Sequence, residues 1–166
     1  MANKTISFLK NSNRDFHNVL DSLNPRLEGF TSVLVTVALT RAQSGQTIIL
    51  GDSDGLSSDT IISLPTAENG LSFRFTYVGG AADAHDFQLN TGSDTNFFIG
   101  GVMQSDVDNG GDDTVVYHPN LSSNSRINFL TPDSGTWAEC FCDGTNWFVN
   151  ACLISATDTG ITFADQ

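Results

Sequence analysis

The chain has 166 residues, enough for one domain with a core of its own, and a formal net charge of −12. That charge argues against sequence-independent binding to nucleic acid, which needs Lys and Arg to displace counterions, and against adhesion to anionic lipid. Gly, Ser, Thr, Asn and Asp are abundant while Lys, Glu and Met are scarce, the reverse of a helix-rich composition, so an all-β body is expected.

Residues 1–30 read as an N-terminal arm and residues 31–166 as a β-sandwich or barrel body. No secretory signal or membrane span is expected, because no apolar run is long enough. In the arm, Ser12-Asn13-Arg14-Asp15 has the form of a capping box. Phe16, Val19, Leu20 and Leu23 follow at the spacing of one helix face, and Pro25 ends the pattern. A stripe of about two and a half turns is marginal alone and gains stability only by docking. It either caps the body or serves as an anchoring or trimer-locking arm. Charge separates arm from body: residues 1–45 hold Lys4, Lys10, Arg14, Arg26 and Arg41 against Asp15, Asp21 and Glu28, a net +2. The rest holds Arg74 and Arg126 against sixteen acids, a net −14.

From Thr31 the period changes to two, with Val33, Val35, Val37 and Leu39 on one face of an expected strand. Further strands are expected over 47–50, 60–64, 71–78, 87–90, 97–103, 114–118, 126–130, 137–142 and 147–154, separated by Gly- and Asp-rich turns. About ten short antiparallel strands with such turns predict a sandwich or barrel. The strongest local signal is Asp143-Gly144-Thr145-Asn146 between two aromatic-rich runs, a hairpin turn that needs φ > 0. If Cys142 pairs with Trp147, then Phe141 faces Phe148 on one side and Cys140 faces Val149 on the other. Both faces are then largely apolar, which fits burial on two sides.

Catalytic and metal-binding patterns are weak. Gly51-Asp52-Ser53-Asp54-Gly55 matches a nucleophile elbow but leads into another β run instead of the helix that an elbow needs. His17, His85 and His118 lack the spacing of a zinc site. Asp106, Asp108, Asp112 and Asp113 offer hard oxygen ligands and form a weak calcium candidate, although Gly110 and Tyr117 break the EF-hand spacing and a solvated loop is favoured. Cys140, Cys142 and Cys152 are odd in number. The first two sit about 6.5–7 Å apart on one strand face, near or beyond disulfide reach, and Cys152 falls on the opposite face. They read as reduced packing residues. Glu is confined to Glu28, Glu68 and Glu139, so neither an enzyme nor a cofactor is expected.

Several segments together carry a family resemblance: Gly135-Thr136-Trp137, the turn from Asp143 into Trp147, residues 65–75 and the acidic loop 106–113. Over roughly residues 40–155 the chain resembles capsid decoration (cement) proteins of tailed bacteriophages, with tail-fibre and spike modules close behind. The resemblance implies a non-enzymatic homotrimer, made in the host cytoplasm, that sits on the outer capsid surface and bridges major capsid protein subunits. On that reading the arm is the expected attachment, through Phe16, Val19, Leu20, Leu23, Arg14 and Arg26. Trp137, Phe141, Trp147 and Phe148 are expected in hairpin and trimer packing. The alternative is a receptor- or glycan-binding module of a tail fibre, which exposed aromatics beside Asn/Asp loops would favour.

Overall fold

The computed structural model describes residues 30–33, 35–80, 84–107 and 114–166. The arm residues expected in attachment, and Asp108, Asp112 and Asp113 of the acidic loop, lie outside the described residues. Twelve strands are described: β1 (Phe30–Val33), β2 (Val37–Ala38), β3 (Thr47–Leu50), β4 (Thr60–Ser63), β5 (Ser72–Tyr77), β6 (Phe87–Asn90), β7 (Phe98–Asp106), β8 (Val115–Pro119), β9 (Arg126–Phe129), β10 (Trp137–Cys142), β11 (Trp147–Ser155) and β12 (Ile161–Ala164). A 3-10 turn at Arg41–Gln43 is the only helical element among the described residues.

The strands form a seven-stranded sheet in the order β1-β3-β5-β10-β11-β7-β8 and a five-stranded sheet in the order β12-β9-β6-β4-β2. The all-β expectation holds, but its antiparallel form and the barrel are corrected. Neither sheet closes, and the ladders β1/β3, β3/β5, β7/β11, β2/β4 and β4/β6 are parallel. The reason is the path of the chain: β1 to β6 alternate between the two sheets. Each return to a sheet therefore follows an excursion through the other one, and the strand comes back in its original direction. A strand of the opposite sheet takes the place of the crossover helix that parallel pairing usually employs. The period-two run beginning at Thr31 is divided by this alternation, with β1 in one sheet and β2 in the other. At the crossing, Thr36 Oγ1 accepts the Ile61 N–H at 3.1 Å.

The core lies between the sheets. Ile48, Leu50, Phe73, Phe75, Tyr77 and Trp147 from the larger sheet meet Ile62, Phe87, Leu89, Ile127 and Phe129 from the smaller one. Phe87 and Phe129, paired across β6 and β9, stack with centroids 4.4 Å apart. Residues 51–55 make a tight turn in which Asp52 and Gly55 exchange backbone hydrogen bonds at 3.1 Å. With no helix after it, the Gly-x-Ser-x-Gly match has no elbow geometry.

Candidate functional site: the outer face of the seven-stranded sheet

The β10–β11 hairpin organises this face. Its turn is held by Asp143, whose Oδ1 accepts the N–H groups of Asn146 and Thr145, each at 2.8 Å, while Gly144 takes φ +101. Those two donors, Asn146 first, hold the Asp143 carboxyl below the usual carboxylate range, so the turn keeps its bonds until the pH falls through that lowered value. Asn146 also accepts the Phe97 N–H at 3.1 Å, tying the hairpin tip to the start of β7. The register is Cys142↔Trp147, Phe141↔Phe148 and Cys140↔Val149, as expected.

The strand pleat then sorts side chains into two sets. Ala138, Cys140, Cys142, Trp147, Val149, Ala151 and Leu153 face the core and are buried. Trp137, Glu139, Phe141, Phe148, Asn150, Cys152 and Ile154 point outward. The expectation of apolar faces on both sides is thus only partly met, since Glu139 and Asn150 stand in the middle of the outer one. Of the four aromatics expected in hairpin-core or trimer packing, Trp147 lies in the core: it is fully buried and 5.9 Å from the Phe73 ring. Trp137, Phe141 and Phe148 remain on the outer face.

In-register neighbours extend the outer face across β7 and β8. Phe141, Phe148 and Ile99 form one row, and Trp137, Cys152, Met103 and Tyr117 form another. Phe141 (57%), Tyr117 (58%), Ile99 (42%) and Met103 (42%) are all substantially exposed. The edge strand β8 adds Val115 and Val116, exposed on opposite faces. On the other flank, Thr47, Arg74 and Glu139 stand in register across β3, β5 and β10, and Arg74 Nη1 donates to Glu139 Oε1 at 3.0 Å. Beside this pair lies a groove of about 270 Å³ lined by Gln46, Thr47, Ser72, Arg74, Glu139 and Phe141. Sequence reasoning did not single out Arg74 or Glu139. The available signal was a lone cation between Phe73 and Phe75 and a lone carboxylate between Ala138 and Cys140, two opposite charges centred in two aromatic-bearing strands.

The remaining candidates are dispersed. His85 sits 3.5 Å from Asp59, far in sequence from His118, whose buried Nε2 has no hydrogen-bond partner. Asp106 ends β7. Among the described residues, no three His, Cys, Asp or Glu side chains come together as a metal site. The three thiols are free and buried. Burial, reinforced by the charge of Glu139, pushes the Cys140 thiol far up, and burial likewise raises Cys152. Cys140 therefore stays a neutral packing group. In comparisons with family models, curated proteins and solved structures, nothing matches the chain.

Proposed function

We propose that the chain is a non-enzymatic structural protein of a phage particle, a capsid decoration protein that self-associates through the outer face of its larger sheet. The observation that carries this reading is the band formed by the exposed Ile99, Met103, Tyr117 and Val115 with the half-buried Trp137, all without a charge, on a body that holds sixteen acids and two basic residues among residues 46–166. Like-charged bodies repel, so copies meet most favourably where charge is missing and apolar surface is concentrated. A trimer built on this band gives each protomer neighbours, and bound protomers bridging the major capsid protein stabilise the shell by mass action.

Light scattering during size exclusion at micromolar concentration is expected to report the mass of three chains. Tyr117→Asp places a carboxylate within the band and is expected to weaken association at least about 30-fold, the cost of losing one interface hot spot. A wild-type protein that stays monomeric at these concentrations removes the proposal's central mechanism.

Attachment to the particle is assigned to the arm, whose net positive charge opposes the body's. Deleting residues 1–24 is expected to leave a folded β body and to weaken co-sedimentation with undecorated capsids strongly, because four apolar side chains worth about 1.5–3 kcal/mol each are removed. Normal decoration by the truncated protein would place attachment in the β loops, and failure to fold would make the stripe part of the protein's own core.

A further inference from the structure

We propose that the groove between β3, β5 and β10 binds a neutral oligosaccharide. The inference does not depend on where in a particle the chain resides. Three features make the groove a site. Its first wall is the Phe141 ring, held nearly parallel to Phe148 (4.9 Å between centroids, 7° between planes) while remaining 57% exposed. Phe148 lies on the β11 side and the groove on the β5 side, so the stack fixes one face of the phenyl and leaves the other to a ligand. Such a flat, immobilised ring suits the C–H face of a sugar, whose body is apolar and whose edge is polar.

The second feature is the Arg74–Glu139 pair, whose side chains are about half exposed. The guanidinium supplies donors and the carboxylate acceptors, side by side, matching neighbouring hydroxyls that each donate and accept. Glu139 and Phe141 are two residues apart on one strand face, about 6.5–7 Å along the sheet, so a ring resting on Phe141 reaches the ion pair with its edge. The third feature is a fixed rim. Ser44 Oγ accepts the Ser72 N–H at 3.0 Å, and the Gly45 N–H donates to Ser72 O at 2.7 Å, closing the loop before β3 onto β5.

The same observations select the ligand class. The ion pair is neutral as a unit, and a carboxylated or phosphorylated ligand would have to displace Glu139 from Arg74 against the field of an acidic body. A peptide adding as a strand has no edge to use, since β3, β5 and β10 are each paired on both sides. A volume of about 270 Å³ sits just under the range of drug-sized sites, so one or two sugar units occupy the groove and the rest of the chain lies along the sheet.

The test uses the full-length protein with cellohexaose, maltohexaose and chitohexaose as neutral probes and hexaguluronate as the acidic one, read by saturation-transfer NMR and calorimetry. At least one neutral hexasaccharide is expected to bind and hexaguluronate is not. Phe141→Ala and Arg74→Met are each expected to lower the affinity at least about ten-fold with the melting temperature of the wild type. If either variant folds poorly, Glu139→Gln, which keeps the side-chain shape, is expected to show the same loss. No saturation transfer from any neutral probe at millimolar concentration overturns the proposal, as does a preference for hexaguluronate or wild-type affinity in the folded Phe141 variant. The light-scattering mass is measured in the same samples, so loss of self-association and loss of sugar binding are read separately.

Discussion

Trp147→Ala is expected to lower the unfolding free energy by about 3–5 kcal/mol, the range for truncating a large buried aromatic. Trp147 is fully buried at the first position of β11, where it pairs with Cys142 on β10 and Phe98 on β7 and packs against Phe73 on β5. It thereby touches the middle of the larger sheet from three strands, and the void left by alanine cannot collapse without moving all of them. Its indole Nε1 has no hydrogen-bond partner, so the native ring already carries the cost of an unsatisfied buried donor. Trp147→Phe removes that donor together with part of the ring, and is expected to lose less than half of what alanine loses. Urea denaturation followed by circular dichroism, with the slope unchanged, measures both. An alanine variant within 1 kcal/mol of wild type would contradict the central role of this side chain.

Gly100→Ala is expected to be at least as damaging, about 4 kcal/mol or more, and to prevent accumulation of folded protein at 37 °C. Gly100 has φ +121, a region essentially reserved for glycine and worth about 1–3 kcal/mol of strain to any other residue. A Cβ there would also collide with the Val149 carbonyl oxygen, and this neighbour is backbone that cannot rotate away. Relief requires β7 to move off β11, whose parallel ladder runs from Trp147↔Phe98 to Ser155↔Asp106. Gly101→Ala is the informative comparison. Its φ is not positive and its contacts lie toward β8, at the His118 carbonyl and the Tyr117 ring, so the disturbance falls on an edge strand and is expected to be smaller. Equal stability losses at the two positions would show that the β7–β11 contact is not the constraint.

Local features of this fold were legible where a turn dictated them. The residues 143–146 turn fixes the register of β10 and β11 because a two-stranded hairpin has no freedom once its loop is set. The bounds of β3, β6 and β10 likewise coincide with their apolar runs. Pairing between distant strands was not legible, since nothing in Thr47-Ile48-Ile49-Leu50 states that Thr60-Ile61-Ile62-Ser63 belongs to the other sheet. The same gap concealed the groove, whose two charged residues lie 65 positions apart. The inward turn of Trp147 was equally hidden. Alternation shows that Phe141 and Trp147 lie on opposite faces, but which face meets the core depends on the five-stranded sheet. The strand β12 was missed because Ile161-Thr162-Phe163-Ala164 is short and gains its place by pairing with β9 and packing Ile161 into the core.

The alternation of β1 to β6 between sheets also dictates an order of events during synthesis. One side of β5 is completed by β3, but the other waits for β10, and β6 likewise waits for β9. Until those later strands leave the ribosome, the nascent chain carries Phe73, Phe75, Tyr77, Phe87 and Leu89 in half-built sheets with open edges, a state prone to mispairing. The β10–β11 hairpin closes over only a four-residue turn, so its contacts are the fastest to form and the natural nucleus. Ribosome-arrested chains ending at Gly135 are expected to be digested by protease, whereas released full-length chains resist it. A stop codon that removes the hairpin is therefore expected to leave a polypeptide with no stable remnant.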